Sequence, residues 1–202
     1  MDAMEVSRMH IESKSSSGIS LVPMETRNLT NRIIYLRGEI NGEKACDFVE
    51  QVLYLNREDD SLPITVLIHS PGGEIDAGML IYDVMRSSKA PIKTVCTGKA
   101  YSMAAVLLAA GTGGRYILPH SKSMLHEPLI PNGVGGNCSS IRSISDSLIE
   151  TRKMMNDILA KHTGKSEEEI EKETSYDHYF SAEESVKFGL CDSIIEFAEL
   201  LP

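Results

Sequence analysis

Three side chains in this sequence could together perform acyl transfer: Ser102, His126 and Asp177. Ser102 lies in Gly98-Lys99-Ala100-Tyr101-Ser102-Met103-Ala104-Ala105, between a Val- and Thr-rich strand ending at Gly98 and a small apolar helix beginning just after the serine. Such a turn presents a hydroxyl beside the unpaired N–H groups of a helix's first turn. The same position equally suits a helix N-cap, and the spacing is not that of the G-x-S-x-G elbow. His126 follows the short strand Ser123-Met124-Leu125 and precedes Pro128. A neutral imidazole there can take a proton from a neighbouring hydroxyl, or simply serve a structural hydrogen bond. Asp177 precedes Tyr179-Phe180, where an aspartate is either partly shielded or a solvated loop or N-cap residue.

A fourth feature adds donors. Pro71-Gly72-Gly73 follows the apolar strand Ile64 to Ile68, at the sheet edge where ligands gather in open α/β folds. Paired glycines bring backbone close to a substrate, although they also make an ordinary turn. The amides of Gly73 and Met103 are candidate donors to a developing oxyanion. The order serine, histidine, aspartate differs from chymotrypsin and subtilisin, but such triads are defined by geometry and not by chain order.

These groups need a scaffold, and the remaining sequence describes one. Ile33 to Leu36, Ile64 to Ile68 and Ile92 to Thr97 read as strands. Between them, Lys44 to Asn56 and Ile75 to Met85 carry helical apolar patterns. The alternation predicts an α/β fold with a largely parallel sheet. Ser139 to Thr163 reads as one long helix of about 37 Å, too long for a compact domain of this size, so it should project and meet another subunit. Ser166 with Glu169 forms a capping box, and Ala182 to Phe188 is a last helix closed by Gly189. Residues 1–30 read as poorly ordered or peripheral, and residues 31–202 as one domain without internal repeats.

Composition narrows the function. With 202 residues and 42% hydrophobic side chains the chain can bury a core unaided. A net charge of −9 argues against nucleic acid as partner. Cys46, Cys96, Cys138 and Cys191 make no CxxC pair, so neither a zinc site nor a disulfide framework is expected. No basic-then-apolar leader occurs, and the longest apolar run, Met103 to Ala110, is far too short to span a bilayer. A soluble, cytoplasmic protein with no membrane association is the expectation.

Several blocks then resemble one family in order and spacing. Ser-Pro-Gly-Gly at 70–73 with Ala77-Gly78, Ser102-Met103-Ala104-Ala105, and Ser123-Met124-Leu125-His126-Glu127-Pro128 resemble the proteolytic subunit of the Clp protease. So do Lys161-His162-Thr163-Gly164, Asp177 with Phe180-Ser181-Ala182-Glu183-Glu184, and Gly189-Leu190-Cys191-Asp192. The resemblance spans roughly Arg32 to Ile195. It implies a crotonase-like fold of repeated ββα units with a protruding handle, a strand plus a long helix at about 129–163. It also implies a serine endopeptidase that degrades unfolded polypeptides inside stacked heptameric rings, a tetradecamer fed by an ATP-driven AAA+ unfoldase of the Clp type. The family's triad falls on Ser102, His126 and Asp177, and its oxyanion donors on Gly73 and Met103. Substrate binding falls on Gly72, Pro128 and Leu129, with the peptide added as a strand near Pro131 to Gly136. No metal or organic cofactor is implied, and no Walker A pattern occurs.

The chain departs from the family in four places. An Arg- and Tyr-rich stretch is replaced by Ser15 to Thr30, which puts an axial pore loop in question. Ser175-Tyr176 stands where an Asp-Arg pair commonly joins the rings. Thr65 and Leu67 occupy positions where surface aromatics receive the unfoldase, and the chain has no Trp. Two extra residues lie between His126 and the handle. The rival readings are a catalytically silent or partner-dependent ring subunit pairing with an active paralogue, an acyl-CoA enzyme on the crotonase framework, and a protease of phage proheads or membrane proteins.

Overall fold

The structure is a computed structural model that describes residues 9–15, 18–131 and 133–200. Strands β1 (His10–Ser15) and β2 (Gly18–Pro23) form an antiparallel hairpin, followed by helix α1 (Met24–Thr30). The body then runs β3 (Ile33–Arg37), α2 (Gly42–Glu58), β4 (Ile64–Ser70), α3 (Ile75–Ser87), β5 (Ile92–Tyr101) and α4 (Met103–Ala109). It continues through β6 (Arg115–Ile117), β7 (Lys122–Leu125), α5 (Cys138–Thr163), α6 (Glu167–Thr174), β8 (His178–Phe180), α7 (Ala182–Phe188) and β9 (Ser193–Ile194). A 3-10 turn at Phe197–Leu200 follows.

The sheet has the order β3-β4-β5-β6-β9, and its ladders along that path are all parallel. Parallel strands covered on both faces should be apolar without alternation. In β4, Ile64, Val66, Leu67 and Ile68 are all buried. One face lies under the main core with Phe48, Leu55, Ile81, Met85 and the whole of α4. The other face holds a smaller cluster in which Leu67 and Val95 meet Ile195, flanked by Tyr116 and Leu200.

Strand β5 is the element that builds the site. Its pairing with β4 slips by two residues, from Ile68↔Cys96 to Ser70↔Ala100. The irregularity contains Gly98 at φ 107, where any Cβ would lie 2.7 Å from the His69 ring. Before the slip β5 pairs with β6, and after it with β7. The sequence reading ended this strand at Gly98. The bulge bends the strand there without stopping it, and the ladder resumes through Tyr101. The ββα units are present in reduced form: the Ile40↔Gly73 bridge continues the β3–β4 pairing by a single step before α2 and α3 begin.

Helix α5 covers 26 residues, about 39 Å. Asn137 caps its start by accepting from the Ser140 amide, and Gly164 ends it in the left-handed region. Its buried residues, Met155, Asn156 and Leu159, lie in the C-terminal half, so the N-terminal half projects from the body. The strand expected beside it is not formed among the described residues 126–131 and 133–137. Pro128 and Pro131 cannot donate to a ladder, Gly133, Gly135 and Gly136 weaken extended pairing, and no strand of the described chain lies opposite.

Candidate active site

Three strand ends converge. Parallel pairing of β5 with β7 sets Tyr101 opposite Met124, and the Ser102 amide donates to the Met124 carbonyl at 2.8 Å. Each strand's next residues, Ser102 and His126, therefore emerge at the same edge. Antiparallel pairing of β7 with β8 sets Leu125 opposite His178, which brings the residue before β8, Asp177, alongside the residue after β7, His126. The side chains meet accordingly. His126 Nε2 lies 2.8 Å from Ser102 Oγ, and His126 Nδ1 lies 3.4 Å from Asp177 Oδ1.

Ser102 does not cap α4. Its backbone has φ 54 and ψ −127, and its side chain makes no capping bond. A non-glycine residue in such a region costs on the order of 1–3 kcal/mol and persists only where its surroundings over-determine it. Those surroundings are the bond to Met124 on one side and α4 on the other, all seven of whose residues are buried. The hydroxyl is thereby left free for His126. Beneath it lies Gly72 at φ 96, where a Cβ would stand 2.7 Å from both Ser102 Cβ and the Tyr101 carbonyl oxygen.

The glycine pair divides its work. Gly72 is buried, its N–H donates to Ser70 Oγ at 3.1 Å, and its carbonyl accepts from the Ile40 amide at 2.8 Å. Expected to touch substrate, it is instead absent from the cleft lining and committed to bonds within the protein. Its contribution is the missing side chain. Gly73 is exposed and lines the cleft. Since Ile40 bonds to Gly72 O and Glu74 N, the parallel-bridge pattern turns the Gly73 N–H to the opposite side, towards the cleft. A Cβ at Gly73 would overlap the Ile40 carbonyl. Met103, the first residue of α4, has an amide with no acceptor inside its own helix.

The cleft itself is about 960 Å³ and runs from Gly73, Ser102 and His126 to the exposed half of α5. Pro128, Leu129 and Pro131 are among the residues that line it. Its floor is apolar, from Val106, Met124, Met155 and Leu159, with Asn156 and Thr174 as polar exceptions. Neither of these was singled out by the sequence reading, because a polar residue on a mainly apolar helix face carries no sign of which cavity it borders.

A second set of contacts ties the His126 side to the Asp177 side. The Glu127 amide donates to the Thr174 carbonyl at 2.7 Å. Arg152 on α5 approaches Glu127 at 3.3 Å and Glu171 on α6 at 3.5 Å. These are half-exposed pairs of modest individual energy. Their value is positional, since they join the residues after His126, the helix before Asp177 and the base of α5. Residues 18–198 match the family model described as Clp protease.

Proposed function

The chain belongs to the Clp protease family, and from that premise we propose that it is a serine endopeptidase subunit with Ser102 as nucleophile. The observation that carries the reading is the 2.8 Å contact of Ser102 Oγ with His126 Nε2, made by a serine whose strained backbone leaves its hydroxyl uncommitted. His126 takes the hydroxyl proton as Oγ attacks a peptide carbonyl. The Gly73 and Met103 amides receive the oxyanion, and the imidazolium then donates to the leaving amine. Water hydrolyses the acyl-enzyme by the same route in reverse. Asp177, on the far side of the ring, holds the tautomer that leaves Nε2 free to accept.

The substrate is an extended, unfolded polypeptide lying along the cleft past Pro128 and Leu129, with Gly72 supporting it indirectly through the seat of Ser102. The long exposed helix α5 supports assembly, since Ile141, Ile144 and Ile149 stand 44%, 38% and 56% exposed. Stacked rings fed by an ATP-driven unfoldase, in a soluble cytoplasmic particle, are the assembly this reading carries. No described helix is long and apolar enough to cross a membrane.

A second reading, a subunit that gains activity only beside a partner, has one observation in its favour. Asp177 is 59% exposed and its contact with His126 is long, so a neighbouring copy is one source of the missing constraint. Hydrolysis of a short fluorogenic peptide, measured beside Ser102→Ala, tests both. Activity abolished by the substitution is the expected result. Activity unchanged in Ser102→Ala overturns the nucleophile assignment, and an inactive wild-type chain that gains activity on addition of a family member favours the second reading.

A further inference from the structure

Asp177 poses a mechanical problem that the triad alone does not solve. An orienting carboxylate must hold its place, yet this one is mostly exposed and makes a 3.4 Å contact with an imidazole. Among the described residues its side chain has no other hydrogen-bond or ion-pair partner. Whatever holds it must act through the backbone, from the residues on either side.

The next residue is held with care. His178 Nδ1 is sealed from solvent against the carboxylate of Glu173, the last acidic residue of α6. The approach is close but not aligned as a hydrogen bond, so among the described residues this is the one buried side-chain nitrogen or oxygen without a hydrogen-bond partner. The ring stacks on Phe180 at 4.2 Å between centroids and 19° between planes, and on Tyr176 at 5.8 Å and 18°. Phe180 in turn is buried and meets Phe188 of α7 at 4.9 Å. Residues 176, 178 and 180 thus form a ladder on one side of the chain, and Asp177 is turned to the other side, towards His126.

We infer that His178 and Glu173 are positioning residues for the aspartate: together they clamp the start of β8 to α6 and so set the distance from Asp177 to His126. The inference rests on the triad assignment made above. The clamp acts at short range. His178 is the register partner of Leu125, the residue directly before His126, so one pair of strand positions fixes the base and its orienter at once. A misplacement of about 1 Å at a reacting group can cost 100-fold in rate.

The test compares His178→Ala, Glu173→Ala and the double substitution with the intact chain in its native assembly. Expected is a fall in kcat of roughly 10- to 100-fold for either single change, with KM within about twofold. The double variant should be no worse than the worse single one, because either change opens the same clamp. His178→Arg, which offers N–H donors to Glu173 and a flat group for the stack, should recover most of the rate. A loss spread equally over kcat and KM, or one that the arginine does not recover, overturns the inference. Crystal structures of wild type and His178→Ala give a readout independent of turnover. The inference predicts a longer Asp177–His126 distance in the variant, and an unchanged distance refutes it. A wild-type chain without peptidase activity speaks against the proposed function, whereas the distance comparison still judges the clamp.

Discussion

Ser102 and Asp177 lie on opposite sides of one imidazole and are held by opposite means. Ser102 is seated in the core: a strained backbone, a buried helix below, and no room for a Cβ at Gly72. Asp177 is seated at the rim: an exposed side chain on a three-residue link between α6 and β8, steadied by its neighbours. The geometry of the proposed nucleophile is therefore inseparable from folding, whereas that of the proposed orienter is adjustable without unfolding anything. A site built this way can be tuned, or left incomplete, on the aspartate side while the costly serine side stays in place.

The comparison breaks most easily at Gly72. In Gly72→Ala the new methyl meets backbone and Ser102 itself in a conformation that side chains rarely adopt, so activity and stability should fall together. We expect at least a 1000-fold loss of kcat/KM and about 2–3 kcal/mol of destabilisation, read from peptide hydrolysis and denaturant unfolding of the same preparation. A stable but inactive protein would show the serine seat to be independent of the core. Asp177→Asn probes the rim. A roughly 100-fold fall in kcat is expected, smaller than for a buried triad aspartate because water partly replaces an exposed carboxylate, with a melting temperature unchanged within about 1 °C. A large loss of stability there would erase the distinction.

The smallest effect concerns the foot of the handle, where core and rim elements meet. His162 on α5 accepts or donates a 2.9 Å hydrogen bond with the Tyr82 hydroxyl, and its pKa is pushed down to about 4, first by burial and then by Arg86, Lys161 and Arg115. A histidine with a depressed pKa is protonated more readily when unfolded, so its contribution to stability is complete above pH ~6.5 and is lost as pH falls towards 4. Half-exposure reduces that contribution to about 1 kcal/mol. Thermal melts from pH 7 to pH 4.5 should show a decline that is shallower in His162→Gln. Equal slopes would mean that this histidine does not link the handle's seat to pH.

Much of the scaffold was legible because its signals are local. The Ser166/Glu169 capping box, the Gly189 and Gly164 terminators and the run of α5 each follow from a few neighbouring residues, and the structure places them within a residue or so of expectation. The Ser181/Glu184 capping box of α7 is equally local and was passed over. The hairpin and α1 in residues 10–30 were missed: Ile11, Ile19 and Leu21 make only weak alternation around a polar turn, and the pairing supplies what the pattern lacks. The strand boundary at Gly98 was misplaced for a related reason, because a glycine reads as a stop when the neighbouring strand that carries β5 past its bulge is out of view.

The residue types able to do the chemistry, and their places at strand ends, were determined by the sequence alone. So were the family blocks that bind Ser102, His126 and Asp177 into one expectation. Tertiary structure alone decided which of two adjacent glycines faces the cleft, that Ser102 is strained and not a cap, and that Asp177 stands exposed beside a clamped histidine. The reason is physical: residue identity and periodicity act within a few positions, but the direction of an N–H and the seat of a side chain are also set by partners 30 or more residues away, such as Ile40 for Gly73 and Leu125 for the aspartate's neighbour His178.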